Sequence, residues 1–167
     1  EAIRQNRRNA VLLTGPYMPE PIKGIIQQKA ESIPSLKVVE FAEEGDLLIR
    51  HASHVVSMGG YNTVSAILSH RKPAIVIPRV VPRQEQWLRA VRMAELGLIH
   101  AVHPDELSPA SICTWLEETP AGAPRMLNFL NMKGLDCISD MILTSFPETR
   151  SSQCHSGQHV ESNGYQE

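Results

Sequence analysis

The sequence has few aromatic residues, few cysteines and no long apolar run. Aromatic residues make up only 5% of the 167 residues, which argues against a stacking platform for single-stranded nucleic acid. Cys113, Cys137 and Cys154 are odd in number and widely spaced, so they provide neither a disulfide framework nor a Cys-x-x-Cys metal motif. A reducing compartment is the simpler interpretation. No stretch approaches the roughly 20 apolar residues that span a bilayer.

Charge is nearly balanced overall but unevenly distributed. The net charge is -2 and the pI is about 6.4, so a general binder of nucleic acid or anionic membranes is not expected. The segment from Arg71 to Arg92 nevertheless contains six cations and one acid, Glu85. It therefore carries +5, and the rest of the chain carries -7. This segment is a candidate anion site within an acidic protein.

Short apolar runs alternate with amphipathic segments. The apolar runs predict five strands, at 9–14, 36–41, 54–57, 73–77 and 98–102. The segments between and after them predict helices at 20–32, 44–51, 62–70, 84–96, 105–118 and 134–143, and Ser108 is placed to cap one of them before Pro109. Apolar strands separated by helices predict an α/β fold, a doubly wound parallel sheet covered on both faces. Residues 1–145 would form one domain, and the polar tail 146–167 is expected to be disordered.

The segment Ser57–Thr63 follows a predicted strand and opens a helix. Ligands bind at the carboxyl ends of the strands in such sheets. Gly59 and Gly60 let the backbone approach a ligand closely, and free N–H groups at a helix start suit a phosphate. The alternative is a tight strand–helix turn with Asn62 or Thr63 as the cap. The segment is neither a Walker A loop nor a GxGxxG motif.

The segment Pro78–Gln86 leaves the next strand and enters the most amphipathic helix. Glu85 and Gln86 lie in its first turn, and a carboxylate beside an amide can bind sugar hydroxyls, which both donate and accept. Arg79 or Arg83 could meet a diphosphate with a bidentate fork. The alternative for Glu85 is a surface pair with Arg89, four residues on, worth about 0.2–0.5 kcal/mol.

The remaining candidates favour structural roles. Thr14–Pro19 follows the first strand and either shapes a pocket or turns the chain, of which the turn is favoured. The histidines do not form a convincing metal site, because those in the body of the chain fall on element junctions or at the surface: His51, His54, His100 and His103. Those near Cys154 lie in the polar tail. We expect no metal.

The stretch from His54 to Leu107 resembles the C-terminal, donor-binding half of GT-B glycosyltransferases. It is most similar to glycosyltransferase family 28, the group that contains the bacterial UDP-N-acetylglucosamine transferase of peptidoglycan lipid-intermediate synthesis. The family pattern places Gly-Gly-x-x-Thr after one strand, Lys-Pro before the next and Glu-Gln, Ala and Gly after it. The matching residues are Gly59, Gly60, Thr63, Lys72, Pro73, Pro78, Glu85, Gln86, Ala90 and Gly97.

The resemblance implies a Rossmann-like half of a GT-B fold and a role for each segment. Backbone N–H groups would hold the donor diphosphate at Gly59, Gly60, Tyr61, Asn62 and Thr63. The side chains of Glu85 and Gln86 would hold hydroxyls of the transferred sugar, and Phe41 and Ala42 would face the nucleotide base. No metal or other cofactor is implied, because the helix dipole and side chains would stabilise the leaving diphosphate. The nucleotide sugar is the substrate.

The sequence departs from the family in several places. Ala66 stands where the family usually has the glutamate that binds the ribose hydroxyls, which weakens the assignment of the nucleotide. Arg89 stands where the family often has asparagine. The N-terminal acceptor domain with its catalytic base is expected to be missing, as are the first strand and Gly-rich loop of the donor domain. No catalytic residue is therefore expected in this chain.

The sequence thus predicts a truncated donor domain of an inverting, metal-independent glycosyltransferase, inactive alone, that would transfer sugar from a UDP-sugar such as UDP-GlcNAc to a hydroxyl. Its partners would be the nucleotide sugar and an acceptor domain in the same or a separate chain, without nucleic acid. The expected location is cytoplasmic, and any peripheral contact with the inner membrane face would run through the acceptor domain. The alternatives are an epimerase or hydrolase on the same fold and a non-catalytic partner subunit, which the loss of the ribose glutamate favours.

Overall fold

The computed structural model describes residues 2–6, 8–121 and 132–145. Helices and strands alternate along these residues, close to the predicted positions. The strands are β1 (Ala10–Leu13), β2 (Leu36–Val39), β3 (Val55–Ser57), β4 (Ala74–Val76) and β5 (His100–Ala101). The helices are α1 (Ala2–Asn6), α2 (Glu20–Glu31), α3 (Gly45–His51), α4 (Tyr61–Ser69), α5 (Glu85–Glu95), α6 (Pro109–Glu118) and α7 (Gly134–Ser145). A 3-10 turn covers Pro104–Glu106.

The strands are parallel and pair in two sheets. In the first, β1 pairs with β2, and Ala10 lies opposite Leu36. In the second, the order is β3-β4-β5, and Ile75 of β4 lies opposite Val56 on one side and His100 on the other. Within the described ranges, no strand joins β1 to β3. The predicted α/β class with parallel strands is confirmed, with its pairing divided between two sheets.

Strand β4 forms the centre of the core, because both of its faces are covered. Ala74 and Val76 pack with Ile67 of α4 and Ala90 of α5. Side chains alternate along a strand, so Ile75 points the other way and packs with Trp115 of α6. The central strand is therefore covered on both faces, as predicted for a doubly wound sheet.

Strand β1 is more exposed than its sequence predicts. The apolar run at 9–14 predicts a buried strand, yet Val11, Leu12 and Leu13 are exposed. The physical reason is that side chains point to the two faces of a sheet, and β1 packs mainly against its partner strand β2 rather than under helices as β4 does. The apolar run identifies the strand correctly, but its burial depends on neighbours that the run does not encode.

Helix α6 is capped and anchored as its sequence indicates. Ser108 accepts a hydrogen bond from the N–H of Ser111, and the Ser111 hydroxyl accepts from the N–H of Ser108, which makes a capping box. At the other end, His54 Nε2 donates to the Thr119 carbonyl at 2.8 Å and Arg8 donates to the Leu116 carbonyl at 2.9 Å. These bonds tie the C-terminal end of α6 to the residues just before β3 and just before β1.

The chain divides into two compact units, residues 1–130 and 131–167. The described part of the second unit contains α7, whose side chains are exposed. No helix among the described residues is both long and apolar enough to cross a bilayer. The predicted domain end at residue 145 stays a prediction, and the predicted disorder of 146–167 concerns residues outside the described ones.

A buried lysine joins α2 to the end of β2. Lys23 is the one buried charged residue among the described residues, and its Nζ donates to the carboxylates of Glu40 and, at 3.0 Å, of Glu20. The hydrogen bond to Glu40, followed by the one to Glu20, raises the pKa of Lys23 above its usual 10.5, although burial acts in the opposite direction. The charged amine therefore holds α2 against Glu40, the residue that follows β2.

We expect the substitution Lys23→Met to lower the melting temperature near neutral pH. The folded state raises the pKa of this lysine, so its contribution is fully present below pH 10.5 and is lost as the pH rises through the higher folded pKa. Thermal melts at increasing pH should therefore show the difference from wild type shrinking above that value. Lys29→Met, on the same helix, is the control. A difference independent of pH would contradict a role of the charge.

Candidate functional site

The turn after β3 requires glycine at position 59. Gly59 has φ +75°, a region that residues with a side chain rarely adopt. A Cβ atom there would lie 2.5 Å from Cγ1 of Val76, at the end of β4. The Gly59 N–H donates to Ser57 Oγ at 3.0 Å, which closes the turn. Gly59 is therefore required by a tight turn that lies directly against the central strand.

Helix α4 begins without a side-chain cap. Gly60 is its N-cap residue, and no side chain accepts a hydrogen bond from the first turn. The expectation that Asn62 or Thr63 caps the helix is wrong, because both residues lie inside the first turn, after the capping position. The N–H groups of Tyr61, Asn62 and Thr63 have no partner within the helix in this position. They form the positive end of the helix dipole and are free to meet an anion.

The loop before α5 is held by the side chain of Gln86. The N–H of Arg79 donates to Gln86 Oε1 at 3.3 Å, and Pro78 is fully buried at the end of β4. The amide oxygen of Gln86 is thus fixed by the loop backbone, while its NH2 group can still donate. Arg79 and Arg83 are exposed along the same loop.

Glu85 begins helix α5 and is open to solvent. Its side chain is 77% exposed, and Oε1 lies 3.9 Å from Nη1 of Arg89. The predicted pairing of Glu85 with Arg89 is therefore present, but the separation exceeds a hydrogen bond, so the contact is loose. The carboxylate remains available to another donor.

Arg89 connects helix α5, which begins with Glu85, to the turn 57–63, which contains Gly59. Its Nη2 donates to the Gly59 carbonyl at 3.0 Å, and its guanidinium lies over the Tyr61 ring, 5.6 Å from the centroid. The structure therefore brings α5 and the turn 57–63 together, as the shared sheet edge predicts. The sequence analysis missed this contact. The spacing of four residues from Glu85 was the available signal, since it places both side chains on one helix face.

The segment predicted to face a nucleotide base lies at the end of β2. Phe41 is 64% exposed and Ala42 is partly buried. No hydrogen bond or ion pair joins them to the turn 57–63 or to α5 among the described residues, because β2 belongs to the other sheet. The structure thus brings together the predicted diphosphate and sugar segments and leaves the base segment separate.

The first loop, Thr14–Pro19, turns the chain as predicted. The N–H of Thr14 donates to the Val39 carbonyl and that of Gly15 to the Glu40 carbonyl, which continues the pairing with β2 beyond the strand. Gly15 then adopts φ +79°. These bonds support the structural interpretation of this loop.

The histidines of the first unit have structural partners or face solvent. His54 packs edge-on against Trp115 at 5.2 Å, in addition to its hydrogen bond at the end of α6. His103 was expected at the surface but is partly buried, because its ring packs edge-on against Trp87 at 5.1 Å. His100 is exposed as expected. Within the described ranges, no three His, Cys, Asp or Glu side chains lie together as metal ligands would.

Comparison with known proteins identifies the domain. The model of the glycosyltransferase family 28 C-terminal domain matches residues 1–128. The chain belongs to this family. A curated relative, the uncharacterized glycosyltransferase MK0977 of Methanopyrus kandleri, is 35% identical over 71 residues, which are 42% of this chain and 20% of that protein.

Solved structures share the fold of this family 28 chain. MurG of Acinetobacter baumannii has a TM-score of 0.67 at 15% identity and covers 86% of this chain. CalG4, the calicheamicin glycosyltransferase, has a TM-score of 0.62 at 19% identity and covers 89%. The matched region spans 43% and 39% of those two chains. The GT-B fold predicted from the sequence is confirmed for this domain.

We expect Gly59→Ala to destabilise the chain by on the order of 2–4 kcal/mol, because it combines a strained φ with a clash against Val76. Urea unfolding followed by circular dichroism would measure the loss. Gly24→Ala is the matched control: its Cβ would meet nothing within 4 Å in the interior of α2, so stability should rise by up to about 1 kcal/mol. Equal stability of the two variants would contradict the assignment of the turn.

Proposed function

We propose that this chain is the donor-binding domain of a glycosyltransferase that uses a nucleotide sugar. The observation that carries the proposal is the arrangement at the edge of β3 and β4. There the uncapped start of α4 is joined to α5 through Arg89, and the first turn of α5 presents Glu85 and Gln86. Family membership supports the same assignment.

The donor diphosphate would bind at residues Gly59–Thr63. The N–H groups at the start of α4 provide donors, and the helix dipole contributes about 0.3–1 kcal/mol toward an anion. Arg79 and Arg83 lie exposed on the neighbouring loop and would add positive charge. Because fixed dipoles and cations surround the phosphates, we propose that the transfer is independent of a metal ion.

The transferred sugar would bind at the start of α5. Glu85 would accept hydrogen bonds from sugar hydroxyls with an exposed carboxylate, and Gln86 would donate with the NH2 group of an amide that the loop backbone orients. Fixing the amide in advance lowers the entropy lost on binding. An N-acetylhexosamine such as that of UDP-GlcNAc fits this pair of donor and acceptor groups.

The nucleotide is proposed to be a UDP-sugar whose base faces Phe41 and Ala42. The exposed ring of Phe41 offers an apolar face to the base, and Lys23 holds the preceding Glu40 in place. Ala66 provides no carboxylate for the ribose. Affinity would therefore come mainly from the diphosphate and the sugar.

The reaction that this site would serve is an inverting transfer. The hydroxyl oxygen of the acceptor attacks the anomeric carbon as the bond to the diphosphate breaks, and the nucleoside diphosphate leaves with the electron pair. The hydroxyl proton goes to a general base. We propose that this base and the acceptor site belong to an N-terminal acceptor domain, either in the same protein or in a separate chain.

A second candidate is a non-catalytic partner subunit on the same fold. The observation that favours it is Ala66, which removes the carboxylate that the family usually offers to the ribose. In that case the site edge would contact another chain rather than a nucleotide. Direct binding measurements separate the two candidates.

Calorimetric titration of the 167-residue chain with UDP, UDP-GlcNAc and a GDP-sugar tests the donor-site proposal. We expect UDP-GlcNAc to bind, with Glu85→Ala and Gln86→Ala each weakening it by about 3- to 10-fold, the effect of losing one hydrogen bond. UDP itself should bind these variants as it binds wild type, because they are assigned to the sugar.

Glu95→Ala is the matched control, because Glu95 ends the same helix and pairs with Arg92 at 2.9 Å, away from the first turn. Circular dichroism confirms that each variant is folded. A folded wild-type chain that binds none of the three nucleotides would overturn the proposal and favour the partner subunit.

A further inference from the structure

Arg89 holds an unusual position for a cation. It donates to the carbonyl of Gly59, in the turn that starts α4, and stacks over Tyr61, the first residue of that helix. The side chain is 29% exposed, so it is partly withdrawn from water. A guanidinium is thereby fixed beside the start of a helix.

The ion pair that Arg89 forms with a carboxylate is a long one. Its carboxylate neighbour, Glu85, lies 3.9 Å away, beyond hydrogen-bond distance. On the same helix, Arg92 and Glu95 form an ion pair at 2.9 Å, which is 1 Å shorter than the pair of Arg89 with Glu85. Arg89 therefore donates a short hydrogen bond to a carbonyl, and its ion pair with Glu85 is long.

A guanidinium beside the N-terminus of α4 is electrostatically unfavourable unless an anion binds close to both of them. The N-terminus of a helix carries about half a positive charge, so a cation beside it is repelled. Since α4 has no side-chain cap, no side chain accepts a hydrogen bond from its first N–H groups, and the carboxylate next to the guanidinium, that of Glu85, pairs with it only at 3.9 Å. A guanidinium has five N–H donors, and the Gly59 carbonyl occupies one of them. The start of α4 and the guanidinium of Arg89 can therefore both bind an anion that accepts hydrogen bonds, and a diphosphate is such an anion.

We propose that Arg89 binds the diphosphate of the donor together with the N-terminus of α4. This inference rests on the proposed function and adds a residue to it. During transfer the bond from the anomeric carbon to the diphosphate oxygen breaks, and its electron pair stays on that oxygen. Arg89 offsets the negative charge that develops there, while the acceptor oxygen bonds to the carbon and releases its proton to the base.

The contact with Gly59 orients this cation. Hydrogen bonding to the turn and stacking on Tyr61 hold the guanidinium before the ligand arrives, so little side-chain entropy is lost on binding. Arginine rather than lysine suits this arrangement, because its planar fork can bond to the turn and to a phosphate at the same time.

The test compares ligands with and without phosphate. The 167-residue chain is titrated with UDP, uridine and inorganic pyrophosphate as wild type, as Arg89→Gln and as Arg89→Lys. We expect Arg89→Gln to weaken the binding of UDP and of pyrophosphate by about 10- to 100-fold, which corresponds to the loss of a charged hydrogen bond. The affinity for uridine should be unchanged. Arg89→Lys, which keeps the charge and the stem, should lose about 3- to 10-fold for UDP.

Arg92→Gln is the matched control, because Arg92 is 80% exposed on the same helix and already paired. It should leave all three affinities unchanged. Equal loss of UDP and uridine in the Arg89 variants, or no loss of either phosphate ligand, overturns the inference. Should Arg89→Gln not fold, Arg89→Lys provides the same comparison.

Pyrophosphate separates this inference from the proposed function. Pyrophosphate binding that depends on Arg89, in a chain that binds no nucleotide sugar, would support the anion site and contradict the donor-site proposal. Nucleotide-sugar binding that does not change in Arg89→Gln would support the donor site and contradict the role of Arg89. Absence of binding by every probe to folded wild type contradicts both.

Discussion

Strand β4 is buried on both faces, and the candidate site depends on how it is covered. Helices α4 and α5 pack on one face through Ile67 and Ala90, and Trp115 of α6 packs on the other. Since α4 and α5 lie on the same face of parallel strands, both helices begin at the same sheet edge. The turn after β3 must then pass over the end of β4, where Val76 leaves room only for glycine. Packing of the core thereby sets the distance between the two site segments.

Electrostatic partners differ between the two sheets. Near β2, Lys23 is buried between the carboxylates of Glu20 and Glu40, which compensate its charge and make a structural anchor. Near β3, Arg89 faces a carbonyl and an aromatic ring, with its carboxylate neighbour at a longer distance. The positive charge of Lys23 thus stabilises the fold near β2, whereas that of Arg89 near β3 can still attract an anion. This contrast agrees with a positive segment inside an acidic chain.

Two single-residue departures from the family pattern, Ala66 and Arg89, would act on the same proposed ligand. Ala66 removes a carboxylate from α4, and Arg89 adds a cation on α5 next to the turn before α4. Both changes make the site edge more positive than the family pattern. Such a site would depend more on the phosphates of a ligand and less on its ribose. The similarity to solved glycosyltransferases, at 15–19% identity, shows the fold, so these residues carry the functional argument.

Local patterns in the sequence determined the order of the elements, the N-cap at Ser108 and the class of the fold. Apolar spacing and turn residues encode these features over a few neighbouring positions. The predicted strands before Ser57–Thr63 and Pro78–Gln86 also placed these two segments at the same sheet edge. Tertiary structure alone decided that β1 is exposed, that Gly60 is the N-cap of α4 and that Arg89 reaches Gly59. These outcomes depend on which strand pairs with which and on how far a side chain reaches across two helices, and neither is contained in a local stretch of sequence.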